Sequence, residues 1–309
     1  MLAYIIGLIA GAASPTQASV NGRIRQDFKS AYVTSIVNFI SASAVLAVII
    51  LAVERNLDLP LAKVAEQPLW IWLGGSCGMA IVILNIICLP KLGSARNVML
   101  ICFGQIMAGL IIDHFALFGA PQASMSLRRL IGAVLVIIGI ALINGVKGES
   151  KEGQAPVLYI ILAILCGAAC SAQVAINGTL KEVAGTAFKA TLISMIVGLI
   201  TAIIVTLIVF MMKGRDGLYD GNDPSGRKGF RPWMIIGGSI AIIIVGGNAV
   251  VAPVLGTGVV TILNLIGMMA AGLVIDATGF LGIDKKPVTL VKIAGMLLMI
   301  AGAAIISLM

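Results

Sequence analysis

The sequence predicts an all-α membrane protein whose ten transmembrane helices form two inverted repeats of five helices each. Three observations support this fold class. The 309-residue chain is 60% hydrophobic and only 11% charged, whereas soluble domains are roughly 45–50% apolar. Its apolar residues form ten runs, each close to the roughly 20 residues that a helix needs to cross a bilayer. The second half of the chain also repeats the first.

The ten apolar runs are predicted to be helices, because barrel strands would alternate apolar and polar residues over segments of about ten. The stretch from Leu199 to Met212 is instead almost continuously apolar. We place the spans near residues 2–20, 30–52, 69–89, 95–117, 129–146, 157–176, 188–212, 232–252, 258–280 and 289–308. The first span has no basic residue before it, so it lacks the charged start of a cleavable signal peptide and is expected to remain in the mature protein.

The internal repeat is seen when the chain is shifted against itself. A shift of 156 residues places Gln17 and Asn21 on Gln173 and Asn177. From residue 69 the shift becomes 163, because the second half has a longer loop near 213–231. Further matched pairs are Trp70 with Trp233, Asn85 with Asn248, Pro90 with Pro253, Asp113 with Asp276, Gly132 with Gly295 and Gly139 with Gly302. We therefore predict a first repeat at 1–146, a cytoplasmic linker at 147–156 and a second repeat at 157–309.

The orientation of the repeats follows from their number of spans. Each repeat holds five spans, and the linker is too short to hide another crossing, so the halves must insert upside down relative to each other. One side of the membrane carries six basic residues: Arg55, Lys63, Arg128, Arg129, Lys181 and Lys189. The other 15 of the 21 lysines and arginines lie on the side of the first loop. Because cytoplasmic loops are rich in basic residues, both termini are predicted to be outside.

The composition also excludes several function classes. The net charge of +8 comes from basic residues spread over short loops, which indicates membrane topology and no nucleic-acid partner. The five cysteines fall inside spans without metal-ligand spacing, so we expect small buried residues and neither a metal site nor a cofactor. With one histidine in the chain, H-E-x-x-H is impossible. No G-x-S-x-G elbow is predicted either, because that elbow needs a strand-to-helix turn and the matching letters at 74–78 lie inside a predicted transmembrane helix. An enzyme is therefore not predicted.

Three motifs resemble those of a known family. They are Q-x-x-x-N-G in the first span of each half, N-x-x-x-x-P in the third span of each half, and L-I-I-D-H-F at 110–115. Together with the five-helix halves, they resemble the drug/metabolite transporter superfamily, and within it the bacterial subfamily of inner-membrane proteins that occur as single, paired or fused antiparallel halves. The likeness covers nearly the whole chain. It implies a ten-helix transporter in the bacterial cytoplasmic (inner) membrane.

Amide side chains in the first span of each half are candidate substrate contacts. Gln17 and Asn21 share one helix face, as do Gln173 and Asn177. Polar side chains at this depth either bond to a neighbouring helix or line a wet cavity, so substrate contact and interhelical bonding both stay open. In the second interpretation, the two Asn-Gly pairs are helix C-caps. Pro15 is expected to break the first helix where a substrate could meet free carbonyls.

Other amides lie deeper in the chain. Asn38, Gln105 and Asn264 have no amide counterpart in the other half, and asymmetric polar groups suit a cavity that holds one asymmetric molecule. We therefore include them as candidate substrate contacts. Asn85 and Asn248 each precede a proline by five residues. We expect that proline to end the span and the asparagine to satisfy the backbone groups that it frees.

The acidic residues constrain the cargo and any coupling. Small multidrug exporters, which are related to the resembled superfamily, bind cations at a glutamate in their first helix, and this first helix has no glutamate. A neutral, zwitterionic or weakly polar cargo is therefore expected, since burying a cation against amides alone is costly. The deepest acids, Asp113 and Asp276, match each other and face the matched bases Arg129 and Lys292 across a hairpin. They are interpreted either as anchoring salt bridges or as a proton-linked gate helped at one end by His114, the only histidine.

Glycines predict how the fifth and tenth spans meet. Gly132 and Gly139 repeat a seven-residue spacing that recurs at Gly295 and Gly302. This spacing resembles the dimerising last helix of small multidrug transporters, and here it predicts packing of the two spans within one chain. Spans one to four and six to nine would then enclose the site.

The predicted function is secondary active transport, with export as the expected direction. The cargo is a small polar or amphipathic metabolite moved by alternating access, and proton coupling stays open. The partners are this substrate and the lipid bilayer, and the assembly is a monomer or a homodimer. The alternative is a small-solute or ion channel, which would need a filter of charged rings or ordered carbonyls that the sequence does not contain.

Overall fold

The computed structural model describes residues 1–120, 122, 124–144, 156–219, 229–255, 257–280, 285 and 287–307. Its α-helices are α1 (Leu2–Phe28), α2 (Ala31–Val53), α3 (Leu61–Ala65), α4 (Leu73–Leu92), α5 (Ser94–Phe115), α6 (Leu127–Asn144), α7 (Val157–Ala184), α8 (Ala187–Lys213), α9 (Ile235–Leu255), α10 (Thr257–Thr278) and α11 (Leu290–Ser307). Within these described ranges, every α-helix except the five-residue α3 has 18 residues or more. Most of the predicted linker, 147–155, lies outside the described residues.

Each of the ten long helices in the described chain overlaps one of the ten predicted spans. Five segments are long and apolar enough to cross a membrane: Ala31–Val53, Leu69–Leu92, Arg96–Phe115, Val157–Ala184 and Ala187–Lys213. Shorter apolar helices cover Pro232–Asn248, Leu263–Thr278 and Leu290–Ile306. The all-helical, membrane-type fold class is therefore confirmed, and the crossing of the membrane by each of the ten spans stays a prediction.

The main helix contacts between the repeats are symmetric. Helix α1 packs against α9 and α10, and its counterpart α7 packs against α4 and α5. Likewise α2 packs against α9, and its counterpart α8 packs against α4. Three further pairs, α2 with α8, α5 with α10, and α6 with α11, join counterparts directly. Exchanging the repeats therefore converts this set of contacts into itself, as expected of two halves related by a pseudo-two-fold axis.

The packing of α6 on α11 gives the relative direction of the repeats. A Cβ atom added to Gly132 would lie 2.6 Å from the carbonyl oxygen of Gly302, and one added to Gly139 would lie 2.6 Å from that of Gly295. Numbers therefore rise along α6 as they fall along α11, so the two helices run antiparallel. Because they are counterparts, the repeats are inverted. The predicted packing of the fifth span on the tenth is confirmed.

Glycines also bring the repeats close at their centre. Gly11 on α1 lies against the backbone of Asn264, and its counterpart Gly167 on α7 lies against the backbone of Ile101. Any Cβ at these positions would clash with the facing carbonyl oxygen, so only glycine lets these helices approach so closely. The matched contacts fix α1 on α10 and α7 on α5.

The first helix of each repeat is longer than predicted. Helix α1 passes through Asn21 and ends at Phe28, where Lys29 adopts a φ of 55°. Helix α7 ends at Ala184, where Gly185 adopts a φ of 82°. The interpretation of the Asn-Gly pairs as C-caps is therefore wrong. A glycine inside a helix costs only about 1 kcal/mol relative to alanine, and the residues that follow each pair continue the helix.

Pro15 does not break α1, contrary to prediction. The helix is continuous through Pro15, which is buried. The hydroxyls of Thr16 and Ser19 donate to the carbonyls of Ala12 and Pro15 at 2.9 and 2.8 Å. Membrane helices tolerate proline when neighbouring helices and hydroxyl side chains compensate for the backbone bond that is lost.

Candidate functional site

The matched glutamines join the two repeats. Gln17 on α1 donates from Nε2 to the carbonyl oxygen of Gly237 on α9 at 3.0 Å. Gln173 on α7 donates from Nε2 to the carbonyl oxygen of Gly74 on α4 at 3.2 Å. Gly74 and Gly237 are themselves counterparts, so the same hydrogen bond occurs twice. Each bond ties the first helix of one repeat to the third long helix of the other.

The matched asparagines lie on the same two glycines. A Cβ atom added to Gly237 would lie 2.6 Å from Asn21 Oδ1, and one added to Gly74 would lie 2.5 Å from Asn177 Oδ1. Neither Oδ1 atom has a hydrogen-bond partner in the described chain. A backbone Cα–H facing a carbonyl oxygen is at most a weak interaction, so both oxygens can still accept from a ligand or from water. We call each set of glutamine, asparagine and facing glycine an amide clasp.

Asn38 extends the first amide clasp, and Ser194 occupies the matching position, where its backbone carbonyl oxygen faces Gly75 beside the second clasp. Asn38 Oδ1 would lie 3.2 Å from the same added Cβ on Gly237, and Asn38 is only 1% exposed. Its counterpart under the shift of 156 residues is Ser194, which is also buried. Asn38 Oδ1 and Ser194 Oγ lack partners within the described residues. Leaving a buried polar atom unpaired costs about 1–3 kcal/mol, which favours a bound polar group at both places.

The two amide clasps differ in exposure. Asn21 is 2% exposed, whereas Asn177 is half-buried. Two residues earlier the same difference recurs, since Ser19 is buried and its counterpart Ala175 is half-buried. Near the end of α1 Asp27 is buried as well. The C-terminal half of α1 is therefore packed into the protein, and the corresponding half of α7 is more open.

Gln105 and Asn264 occupy the fourth long helix of each repeat. Gln105 is half-buried, and its backbone carbonyl oxygen accepts from Ser171 Oγ on α7 at 2.5 Å. Asn264 donates from Nδ2 to Asn248 Oδ1 at 2.8 Å, and its own Oδ1 has no partner in the described chain. Asn264 therefore pairs with the neighbouring helix and keeps one acceptor for a ligand.

The first repeat has a related pair of asparagines. Asn97 on α5 donates from Nδ2 to Asn85 Oδ1 on α4 at 3.0 Å, and Asn97 is buried. Asn97 was not among the predicted residues. The residue that matches Asn264 is Ile101, so the partner of Asn85 lies one helical turn away from the position that the repeat predicts. Both repeats thus join their third and fourth long helices through an amide pair.

Arg25 contacts a carbonyl oxygen that Pro90 leaves without its helical partner, and the sequence did not reveal this contact. Pro90 lies inside α4, which ends two residues later at Leu92, so proline does not end the span as predicted. It frees the carbonyl oxygen of Ile86, four residues earlier. Arg25 on α1 donates from Nη1 to that oxygen at 2.8 Å. The expectation that Asn85 would satisfy the freed group is wrong, since Asn85 donates to Ile81 at 3.2 Å.

The matched acids differ in exposure. Asp113 Oδ2 lies 3.4 Å from Arg129 Nη1, and the side chain of Asp113 is the more exposed of the two, at 40% against 12%. Asp276 is 1% exposed, and its Oδ1 accepts from the backbone N–H of Ser94 at 3.0 Å. Lys292, the counterpart of Arg129, donates from Nζ to the carbonyl oxygen of Pro287 at 3.0 Å. A carboxylate is thus exposed at one end and buried at the other.

His114 is bound by the loop that follows α5. Its Nδ1 accepts from the backbone N–H of Met125 at 3.2 Å, and its ring centroid lies 4.7 Å from that of Phe115 in an edge-to-face arrangement. This places the one histidine at the same end as Asp113. Of the three coupling candidates, Asp113 and His114 therefore lie together, and Asp276 lies at the equivalent place in the other repeat.

A family model matches this chain twice. The family is described as "Putative inner membrane exporter, YdcZ", and its model matches residues 2–142 and 158–305. The chain belongs to the YdcZ family. The predicted resemblance to drug/metabolite transporters is confirmed, and so are the two repeats. A YdcZ protein is a transporter-type protein of the inner membrane, which is not an enzyme class.

Comparison with solved structures supports the same fold. One crystal structure shares 16% sequence identity with the YdcZ chain and has a TM-score of 0.60. The match covers 100% of this chain and 99% of that chain. At this identity the likeness shows the fold alone. A comparison with curated proteins gives no significant match.

Proposed function

We propose that this YdcZ protein is a secondary active transporter that exports a small polar or amphipathic metabolite by alternating access. The cargo site lies between the repeats and is formed by the two amide clasps together with four further polar residues. These are Asn38, Ser194, Gln105 and Asn264. The family membership and the apolar helices support transport, and the polar atoms between the repeats support a site there.

The difference in exposure between Asn21 and Asn177 carries the proposal. Two inverted repeats with similar sequences can each adopt the other's conformation. In the structure, the helix around Asn21 is buried, and the equivalent part of α7 around Asn177 is more exposed. Exchanging the conformations of the repeats would open the first end and close the second. Such an exchange moves a bound solute across without a continuous pore.

The chemistry of the site favours an uncharged cargo. Among the residues assigned to the site, the unpaired atoms of the described chain are amide and hydroxyl groups, namely Asn21 Oδ1, Asn38 Oδ1, Asn177 Oδ1, Ser194 Oγ and Asn264 Oδ1. Such groups recognise hydrogen-bonding solutes but offer little compensation for a buried charge. We assign any proton coupling to Asp113, Asp276 and His114, which lie towards helix ends.

The test is counterflow in proteoliposomes. A thermal-shift screen of the purified protein against polar metabolites first identifies a ligand, since a solute that binds only the folded state raises its stability. Vesicles loaded with that ligand should then accumulate labelled ligand transiently, with saturable rates. Flux that rises linearly with concentration and shows no counterflow would instead identify a channel.

Replacing the matched glutamines tests the site directly. Gln17→Leu and Gln173→Leu each remove an amide from between the repeats, so counterflow should be lost while the protein still folds and inserts. Gln26→Leu is the matched control, because Gln26 lies on the exposed face of α1 and bonds to Arg23. Unchanged transport in both variants would show that these glutamines are not cargo contacts.

A further inference from the structure

Helix α5 begins without a cap of its own. Its N-cap residue is Gly93, which has no side chain and a φ of 76°, and no acidic residue lies in its first turn. The first N–H groups of a helix have no partner within the helix, and its N-terminus carries partial positive charge. Here Asp276 provides the missing acceptor, because its Oδ1 lies 3.0 Å from Ser94 N and both residues are buried.

This cap joins the repeats at the packed end. Asp276 belongs to α10 of the second repeat, and Ser94 begins α5 of the first. The contact between Arg25 and Ile86 places the end of α1 beside the end of α4, and α4 leads through Gly93 directly into α5. The cap therefore lies at the same end as the buried half of α1.

The equivalent contact at the open end would use Asp113 and Thr257. Under the shift of 163 residues, Asp113 matches Asp276 and Thr257 matches Ser94. Thr257 is the first residue of α10, as Ser94 is of α5. In the structure Asp113 instead contacts Arg129 within its own repeat, and its side chain is 40% exposed.

We infer that Asp276 and Asp113 are alternating latches that hold opposite ends of the transporter closed. In the state described here, Asp276 caps α5 at Ser94 and Asp113 rests on Arg129. In the opposite state, Asp113 caps α10 at the Thr257 N–H, and Asp276 releases Ser94. This inference rests on the proposed alternating access and names the contacts that stabilise each of its two states.

Accessible cysteines at matched positions report the two ends. Gly178 is exposed, with no atom within 4 Å of an added Cβ, and an added Cβ on Gly22 would meet only Leu89 Cδ2 at 3.8 Å. Gly22→Cys and Gly178→Cys are therefore introduced one at a time into a chain whose five cysteines are replaced by alanine. The rate of modification by a soluble maleimide is measured for the purified protein.

Removing one latch should change both rates in opposite directions. Asp276→Asn should raise the rate at position 22 and lower the rate at position 178, each about three- to tenfold, because a charge-assisted bond is lost from one state only. Asp113→Asn should do the reverse. Asp58→Asn, at an exposed loop acid, is the control and should change neither rate.

A second pair of variants removes the donor and keeps the acid. Ser94→Pro and Thr257→Pro each delete the N–H group at the first helical position, where proline is well tolerated. Ser94→Pro should reproduce the effect of Asp276→Asn, and Thr257→Pro that of Asp113→Asn. These variants answer the question if an aspartate variant does not fold.

The outcomes separate the latch from the transport function. Reciprocal changes in the rates at positions 22 and 178 support the latch. A faster reaction at one end without a slower reaction at the other means that the carboxylate only anchors its own end, and this overturns the latch, as does no change at all. Counterflow by the wild-type protein without reciprocal labelling rejects the latch alone, and reciprocal labelling without counterflow rejects the carrier alone.

Discussion

At the scale of single residues, the contact between the repeats depends on two glycines, because a glycine has no side chain to fill the space beside its backbone. Gly237 offers its carbonyl oxygen to Gln17 at 3.0 Å and leaves room for the side chain of Asn21. Gly74 does the same for Gln173 and Asn177. The amides were recognised in the sequence because they recur on one helix face, whereas their partners are backbone groups.

Adding one methyl group tests this arrangement. Gly237→Ala and Gly74→Ala would place Cβ atoms 2.6 and 2.5 Å from the asparagine oxygens, so each should destabilise the protein by about 1–3 kcal/mol through overpacking. The measurement is the melting temperature of the purified protein. Gly178→Ala, where an added Cβ meets nothing within 4 Å, should leave it unchanged or slightly higher. Equal effects at all three positions would contradict the clasp.

At the scale of secondary-structure elements, α1 and α4 are joined by a side-chain hydrogen bond that replaces a missing backbone hydrogen bond. Pro90 removes the bond to Ile86, and Arg25 replaces it at 2.8 Å. Proline could be located from the sequence, but its freed carbonyl could not be assigned a partner. Any donor on a neighbouring helix could have filled that role, and the choice depends on how α1 crosses α4.

A double-mutant cycle measures this repair. Arg25→Met leaves the Ile86 carbonyl without its charged donor and should cost about 1–3 kcal/mol. In a Pro90→Ala background, the restored N–H of residue 90 can donate to Ile86, so the same change should cost measurably less. Stability is measured by denaturation in detergent for the four proteins. Additive effects would show that Arg25 does not compensate for Pro90.

At the scale of the whole molecule, inversion places matched residues of the two repeats at opposite ends of the protein. Gln26 and Glu182 are counterparts under the shift of 156 residues, and both are exposed. In parallel repeats they would lie on the same face of the membrane. The antiparallel packing of α6 on α11 puts them at opposite ends of the helices, which we expect to be opposite faces of the membrane.

Labelling in intact cells tests the orientation. Because the basic residues predict that both termini lie outside, Glu182→Cys should react with an impermeant maleimide in intact cells. Gln26→Cys should react only after the membrane is opened. Reaction of both variants in intact cells would rule out the inverted arrangement. Reaction of Gln26→Cys alone in intact cells would show that both termini lie inside and not outside.

Much of the fold and part of the site follow from local composition. Apolar runs of spanning length predict the ten helices, and the matched residues predict two repeats, because both signals depend only on the order of residues and on no contact between helices. Asn38, Gln105 and Asn264 stood out as polar residues in apolar surroundings. Ser194 and Asn97 did not, since a small hydroxyl and an amide near a helix start are common, although the offset from Asn38 points to Ser194.

The chain of amino acids thus determines the helices, their repetition and the polar stripes that face inward, since each depends on hydrophobicity and spacing along a single helix. The partners of those stripes and the identity of the closed end come from packing between residues up to 220 positions apart. Two matched segments have nearly the same local energies, so neither one specifies which end is shut. Asp276, which caps α5, and Asp113, which contacts Arg129, differ because one arrangement of the repeats buries the first carboxylate and exposes the second.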